Sequence, residues 1–576
     1  MSGKPRRTWD VRPVDPERTA QLAIELNVPT ILAKVLRARG MDDREGALRF
    51  LHPTLADLPE PYSMLGLASA VVRLEQAIKA GEQVCIYGDY DVDGVTSTAV
   101  LLLFLRQVGL PVEYYIPSRQ KEGYGLSEKA VTEIAGRGVR LLVTVDCGIS
   151  DVAAIRAARE LGLDVIVIDH HQIPEALPDA VAILNPRQSD CQFPDKELAA
   201  VGVVFELVVA LRASLRSGGF FQDRPEPNLR EYLDLVSLGT VADMVPLVQT
   251  NRILSHFGLR ELAAGRRPGI AALKEVAGVS GEETTVGQVA FRLAPRINAI
   301  GRLDQAAKAV ELLTTQSYLR ALTLARELDQ ANVERQAIEQ EIFDDAIRQA
   351  EEQLAQGDVS GLVLASEDWH VGVVGIVASR LVERFGCPVA LIALTGEECR
   401  GSARGTEDIH LYECLQACAD TLLAFGGHSA AAGLTIQRGM LDDFRRAFLQ
   451  ILDQRRSKTA TRKLWIDAEL QPAALTFDLI SQLNQLAPYG IGNPEPIFVG
   501  SNLEVKTARL VGNKPPLHLR GVVLDNGHPC DVIGFRLGDR LEELHGYVDL
   551  AYTPELNEFN GQTTIQLRLI DLRRSD

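Results

Sequence analysis

The sequence predicts an α/β protein with a parallel-sheet lobe, a long connecting helix, a second and smaller α/β lobe, and a small C-terminal β-barrel or sandwich. Three observations carry this expectation. Apolar runs of strand length alternate with helix-length segments from 83 to 185. A charged stretch from 317 to 356 contains neither Pro nor Gly, the pattern of one extended helix. After 461 the texture changes to short alternating segments divided by turns such as Asp525-Asn526-Gly527 and Asn560-Gly561. At 576 residues the chain is also too long for a single core.

In order along the chain, residues 1–75 hold helical pieces and a Pro-rich connector (Pro53, Pro59, Pro61), expected as a helical extension. Strands are predicted at 83–87, 112–116, 139–145, 164–168 and 181–184, with helices at 94–108, 127–137 and 151–162. Crossovers of that length make βαβ units, so the sheet is expected to be parallel and covered on both faces. A mainly helical region from 198 to 315 completes a lobe spanning 76–316. The connecting helix occupies 317–357. The second lobe, 358–460, begins with a strand at 361–365, a helix at 372–385 and a strand at 388–394. The β-rich segment fills 461–576.

Composition narrows the class. No stretch approaches the roughly 20 apolar residues of a membrane span, and the basic N-terminus lacks the apolar segment of a secretory signal. The eight cysteines form no CxxC pair, and several lie in apolar runs. They read as reduced thiols of a cytoplasmic protein. Cys414 and Cys418 are spaced for one helix face, without further zinc ligands nearby. A net charge of −17 argues against broad phosphate binding but leaves room for a local basic groove.

The chemistry concentrates at strand ends. Asp89, Asp91 and Asp93 follow the run Val84-Cys-Ile-Tyr-Gly88. Carboxylates this crowded repel one another, and a divalent cation is the usual way to hold them together. Val143-Thr-Val145 delivers Asp146, and Val165-Ile-Val-Ile168 delivers Asp169-His170-His171. In open parallel sheets ligands bind at the carboxyl ends of the strands, where all of these fall. An EF-hand would need Glu where Val100 stands. A phosphatase built on an acid pair would not explain Asp169-His170-His171. Carboxylates with neutral imidazoles suit Mn²⁺ or a similar metal. Two ions close together can share a phosphate oxygen, activate water and stabilise a leaving oxygen, so phosphoester hydrolysis is the expected reaction.

Phosphate handling needs donors. Arg119 follows strand 112–116, so it would point to the same sheet edge. Arg296 and Asn298 are expected in a Pro-bounded loop, and Ser402 and Arg404 in a Gly-flanked loop of the second lobe. His428 follows Gly426 and Gly427, which would let the backbone approach a phosphate. The forked guanidinium of Arg suits such contacts.

Tyr87-Gly-Asp-Tyr-Asp-Val-Asp-Gly94, Thr144-Val-Asp-Cys-Gly148, Asp169-His-His171, Gly239-Thr-Val-Ala-Asp-Met-Val-Pro246 and Gly426-Gly-His428 together resemble the DHH phosphoesterase superfamily. Their order and span, from about residue 50 to the C-terminus, are similar to its branch of single-strand-specific 5′→3′ DNA exonucleases. Position by position, the resemblance implies Asp91, Asp93, Asp146, His170, His171 and Asp243 as catalytic metal ligands for two divalent cations, Mn²⁺ or Mg²⁺. Small-substrate members often have His where this chain has Tyr87; Asp89 is the candidate for the missing ligand. Asp169 is expected to orient an imidazole rather than bind metal. The loop resembling 400–405 would belong to a DHH-associated lobe and hold the 5′ end of a strand threaded between the lobes.

The C-terminal segment resembles an OB-fold, with Tyr552, Phe559, Lys506 and Arg509 as candidates for gripping a single strand. Pro488-Tyr-Gly-Ile-Gly-Asn-Pro494 looks like a hinge at its entry, not a phosphate loop, since the required Lys is missing. The resemblance also implies work in DNA repair, recombination and mismatch repair, with a single-strand-binding protein and a RecQ-type helicase as partners. Two alternatives accompany it: a phosphodiesterase for short oligonucleotides or cyclic dinucleotides, and a non-catalytic Cdc45-like single-strand binder. The extra C-terminal domain weighs against the first. That every metal motif carries its Asp or His weighs against the second.

Overall fold

The computed structural model describes residues 7–118, 122–301, 305–355, 357, 360–406, 408–455, 463–512, 517–559 and 561–575, with Phe559 as backbone only. Two compact units divide the chain. One comprises Thr8–Ala325 with Lys463–Asp576, and the other contains Arg326–Arg462.

The first unit is built on a five-stranded parallel sheet. Its spatial order is Val112–Tyr115, Val84–Gly88, Leu141–Val145, Asp164–Ile168, Ala182–Leu184. Every neighbouring pair is parallel. Val84–Gly88 and Leu141–Val145 are buried at every residue, which requires helices on both faces. Glu128–Gly136 and Val152–Glu160 cover one face, burying Val131, Ile134 and Ile155 against Cys85, Tyr87 and Val165. Val92–Gln107 packs on the sheet and on the helices Ala200–Ser217 and Leu233–Ala242. It is buried almost throughout, so its sequence is apolar around the whole circumference rather than striped. The chain leaves Val84–Gly88 toward one edge and returns to Leu141–Val145 on the other side. That reversal opens a crevice between the ends of these two strands.

The helices Pro16–Leu26, Thr30–Ala38 and Arg44–Leu51 do not close a core of their own. Leu22, Leu32, Leu36 and Phe50 are buried in one cluster with Phe498, Leu503, Val523, Val548, Tyr552 and Leu569 from the far end of the chain. The segment before them is a strand that the sequence reading missed. Thr8–Val11 pairs in parallel with Lys463–Ile466, and the Trp9 indole donates to Asp571 at 2.9 Å. Four residues are too few to display a period.

The C-terminal strands Phe498–Val511, His518–Asp525, His528–Gly534, Tyr547–Phe559 and Gln562–Arg574 close into a barrel. The first pairs with the fourth, and the third pairs in parallel with the fifth. That is the Greek-key closure of an OB-fold. Tyr552, a candidate strand-gripping residue, is instead fully buried and donates to the Leu470 carbonyl at 2.7 Å. Lys506 and Arg509 are exposed.

The second unit holds a mixed five-stranded sheet ordered Ala424–Gly427, Ala431–Gln437, Glu398–Arg404, Val389–Ala393, Leu362–Ser366. The long helix Tyr318–Ala355 buries Ile342, Ala346 and Ala350 here, beside Val373 and Val377 of Val371–Phe385. Their four-residue spacing keeps one face apolar while the remainder of the helix stays charged.

Candidate metal centre

Asp89, Asp91 and Asp93 leave the end of Val84–Gly88, and Asp146 leaves the end of Leu141–Val145, on either side of the crevice. Asp91 caps the following helix by accepting the Gly94 amide at 3.1 Å. Asp93 is buried, and it takes the Ala200 and Val201 amides at 2.8 and 2.9 Å from the start of helix Ala200–Ser217. Gly239 lets the helix Leu233–Ala242 approach this point, since a Cβ there would stand 2.2 Å from Thr96 Oγ1 and 3.1 Å from Asp93 Oδ1. That helix ends at Asp243. Asp146 holds a left-handed φ of 62°, uncommon outside glycine and a mark of functional strain.

His170 Nε2 lies 3.3 Å from Asp146 Oδ1, 3.6 Å from Asp243 Oδ2 and 4.0 Å from Asp93 Oδ2. Among the described residues, three sets of donor atoms fall within 4.8 Å of one another: Asp89, Asp91, Asp146; Asp146, His170, His171; and Asp93, His170, Asp243. Asp146 and His170 each belong to two sets. Among the described residues, Asp146 Oδ1, His170 Nε2 and Asp243 Oδ2 are buried without a hydrogen-bond partner. Orphaned acceptors in such numbers are costly, and oxygen donors with imidazole nitrogen are the chemistry of a Mn²⁺-type ion. The residues therefore fit a divalent metal.

The electrostatics agree. Burial, reinforced by the charge of Asp91, raises Asp93 to about 7 despite its two amide donors. Burial and the charges of Asp93 and Asp91 raise Asp243 to about 9. Burial and the same two neighbours push Asp146 well above the carboxylate range. Burial and the neighbouring His171 lower His170 to about 4, keeping it neutral. Asp169 behaves oppositely. Burial alone would raise it, but its hydrogen bond and charge interaction with His171 hold it below the ordinary value. It accepts the Ile149 amide at 3.0 Å and stands outside the three donor sets.

Tyr87 turns away from the cluster. Its hydroxyl donates to the Gly125 carbonyl at 2.9 Å, and its ring stacks on Tyr115 at 5.5 Å. The neighbouring Tyr124 is a site residue the sequence reading passed over. Its hydroxyl donates to the Asp146 carbonyl at 3.2 Å and lies 3.2 Å from His171 Nδ1. Asn185 and Arg187 were also missed. Asn185 Nδ2 donates to the His171 carbonyl at 2.9 Å, and the charge of Arg187 opposes the rise of Asp243. Both follow the strand Ala182–Leu184, so the strand-end rule that found the acids would have found them.

Arg119 lies outside the described residues. Arg296 and Asn298 sit on a helix, Ala294–Gly301, rather than in a loop. A π-turn at Val289–Leu293, with the Ala294 amide reaching the Val289 carbonyl, supplies the extra residue that accommodates the donor-less Pro295. Asn298 Oδ1 accepts the Val92 amide at 3.2 Å, tying this helix to the Asp91–Asp93 turn.

In the second unit, Ser402 and Arg404 are strand residues of Glu398–Arg404, not loop residues. Register with Val389–Ala393 and Ala431–Gln437 holds them. Arg404 Nη1 donates to Ser402 Oγ at 2.7 Å, and burial lowers the guanidinium pKa. Gly375 on the adjoining helix allows the approach, since a Cβ would meet Arg404 Nη2 at 2.9 Å and Ser402 Oγ at 3.0 Å. His428 is exposed in the turn after Ala424–Gly427.

Comparison with known proteins adds an independent line. The DHH family N-terminal domain matches residues 83–240, the DHHA1 domain 358–454 and the RecJ OB domain 466–571. A single-stranded-DNA-specific exonuclease RecJ from Bacillus subtilis (strain 168) is 38% identical, covering 99% of this chain and 71% of its own. The protein of the same name from Escherichia coli (strain K12) is 39% identical, covering 96% of each chain. Among solved structures, RecJ from Thermus thermophilus in complex with Mn²⁺ aligns with a TM-score of 0.85 at 31% identity. That alignment covers 99% of this chain and 80% of the other. The Mg²⁺ complex of that protein aligns at 0.78 and 30%, covering 99% of this chain and 79% of the other.

Proposed function

The chain belongs to the RecJ family of single-stranded-DNA-specific exonucleases, and from that premise we propose how its own residues carry out the reaction. It is a single-stranded-DNA-specific exonuclease that uses divalent cations. Asp89, Asp91, Asp93, Asp146, His170, His171 and Asp243 hold two of them. The observation that carries this reading is the sharing of Asp146 and His170 between overlapping donor sets, the arrangement expected of closely spaced ions. The ions, when bound, neutralise phosphate charge and lower the pKa of water at the scissile phosphorus.

The chain's residues do the rest. Asp93 is fixed by the Ala200 and Val201 amides. His171 is fixed by Asp169, and the Asp146 turn is capped by Tyr124. Each donor is thereby placed before substrate arrives. Arg119, Arg296, Asn298, Ser402, Arg404 and His428 contact phosphates, with the Ser402–Arg404 pair receiving the 5′ end. The barrel holds single strand through Lys506 and Arg509 without reading bases. The enzyme acts in the cytoplasm on strands exposed during repair and recombination, alongside a single-strand-binding protein and a helicase.

Digestion of end-labelled single- and double-stranded oligonucleotides, with Mn²⁺ or EDTA and with Asp146→Ala as control, tests this. The expected result is release from the 5′ end of single strand only, abolished by EDTA and by the substitution. Release from the 3′ end, or full activity of Asp146→Ala, would overturn it. Neither alternative is favoured. The full-length relatives are named exonucleases, and each metal motif carries its Asp or His.

A further inference from the structure

Asp243 ends its helix and is followed by a segment with two unusual backbone conformations. Met244 and Gln249 hold φ of 60° and 45°, values that L-residues rarely adopt. Such a segment keeps its shape only if its surroundings hold it. Two contacts do so. The Leu247 amide donates to the Ile491 carbonyl at 2.7 Å. Asn251, fully buried, donates from Nδ2 to the Pro246 carbonyl at 3.1 Å and to the Glu197 carbonyl at 2.7 Å. Glu197 lies three residues before Ala200, whose amide holds Asp93. Asn251 thus fastens the segment behind Asp243 to the segment that positions Asp93.

The Ile491 carbonyl belongs to a turn closed on itself by reciprocal bonds between Gly490 and Asn493 at 2.9 and 3.1 Å. Asn493 Nδ2 donates to the Leu486 and Pro488 carbonyls at 2.9 and 2.8 Å. Arg39 donates to Asn493 and to the Pro494 carbonyl. From the other side, Arg252 donates to the Leu486 and Ala487 carbonyls at 2.9 Å each, and to the Phe50 carbonyl. The turn presses close. A Cβ on Gly490 would stand 2.7 Å from Leu247 Cδ1, and one on Gly492 would stand 3.0 Å from Pro246 Cβ and 3.2 Å from Val248 Cγ1. Guanidinium and amide donors thus anchor a turn that leans directly on the residues behind Asp243.

We propose that the Gly490–Asn493 turn, together with Asn251, is a brace that positions Asp243 for metal binding. Through it the seating of the barrel sets the occupancy of the metal centre. This rests on the reading of Asp243 as a ligand. Gly490, Gly492 and Asn251 act through Asp243 and are positioning residues.

The test is calorimetric titration of Mn²⁺ into metal-free full-length protein, with thermal melting of each variant. Gly492→Ala places a methyl group against Pro246 at a φ of 75°, and Asn251→Ala unties the two segments. Each is expected to weaken Mn²⁺ binding about tenfold, the lower end of what losing an outer support costs a metal site. Gly527→Ala is the control. Its φ is 85°, so the backbone strain is comparable, but among the described residues nothing lies within 4 Å of its Cβ. It is expected to lower the melting temperature and leave Mn²⁺ affinity unchanged. Equal affinities for Gly492→Ala, Asn251→Ala, Gly527→Ala and the parent chain would overturn the brace. Asp243→Ala binding Mn²⁺ as the parent does would overturn the ligand reading instead. Should neither brace variant fold, hydrogen exchange on the parent decides. Coupling is reciprocal, so Mn²⁺ must slow exchange at the Leu247 amide, and unchanged exchange there refutes the proposal.

Discussion

His171 Nδ1 stands 2.7 Å from Asp169 Oδ1, the same oxygen that accepts the main-chain amides of His170 and His171 at 2.8 and 3.0 Å. One carboxylate therefore fixes both the ring and the backbone of the histidine pair. With Nδ1 committed, Nε2 is the nitrogen left for a cation. Asp169→Asn keeps the shape but removes the charge. It is expected to weaken Mn²⁺ binding by about 10–100-fold, with the fold retained. Calorimetric titration checks this, and an affinity equal to the parent would remove Asp169 from that role.

Asp146 belongs to two donor sets, so its loss should be felt by both ions. Asp146→Ala is expected to lower turnover on single strand by more than the roughly 100-fold upper cost of losing an outer partner. Mn²⁺ stoichiometry should fall with it. A variant that still binds the parent's complement of Mn²⁺ would show that Asp146 bridges nothing.

Metal binding should release protons. In the metal-free protein, Asp93 at about 7 and Asp243 at about 9 still hold protons near neutrality, and a bound cation must displace them. Mn²⁺ affinity is therefore expected to rise with pH between about 6.5 and 9. Titrations in buffers of different ionisation enthalpy report the proton count directly.

The stability of the metal-free protein should run the other way. Asp93 and Asp243 have folded-state pKa values raised above the 3.8 of the free carboxyl. The native state then binds more protons than the unfolded state, and stability falls as pH rises toward 7 and then 9. His170, lowered to about 4, contributes the opposite slope, but only below its free value of 6.5. Above 6.5 the acids govern together with His171, which burial lowers but its hydrogen bond to Asp169 raises overall, giving the same downward slope. Melting temperature in EDTA should decline from pH 6.5 to 9 and recover on adding Mn²⁺. A flat profile would show that the cluster is not strained by its own charge.

Tyr87 tests the departure from the small-substrate pattern. Its hydroxyl satisfies the Gly125 carbonyl, within the loop that carries Tyr124 toward Asp146. Tyr87→Phe leaves a buried acceptor unpaired, at a cost of about 1–3 kcal/mol. Mn²⁺ stoichiometry is expected to be unchanged, because Tyr87 belongs to no donor set. A lost Mn²⁺ equivalent would make the tyrosine a ligand after all.

The parallel sheet was legible because its three central strands are apolar runs that end in acids, a pattern that depends only on local sequence. The helices from Val92–Gln107 to Val152–Glu160 fall within two residues of expectation for the same reason. What escaped was non-local. The helical seat of Arg296 depends on a π-turn that spends an extra residue on Pro295. The strand positions of Ser402 and Arg404 depend on register with two partners. The burial of Tyr552, a candidate for gripping a strand, depends on the barrel closing around it. The Asp243 brace joins residues about 240 positions apart, a distance at which no period or motif speaks.

The shared core of the two chain ends has a consequence for the order of events in folding. Leu22, Leu32 and Phe50 are synthesised more than 400 residues before their burial partners Phe498, Val548 and Leu569. Domains otherwise fold as they emerge from the ribosome, N-terminal first. Here the earliest helices must keep their apolar faces uncovered until the barrel has been made. The parallel sheet and the second unit can each assemble in the meantime, from residues already present. During translation the nascent chain therefore carries an apolar patch on these helices that stays exposed until the barrel is made.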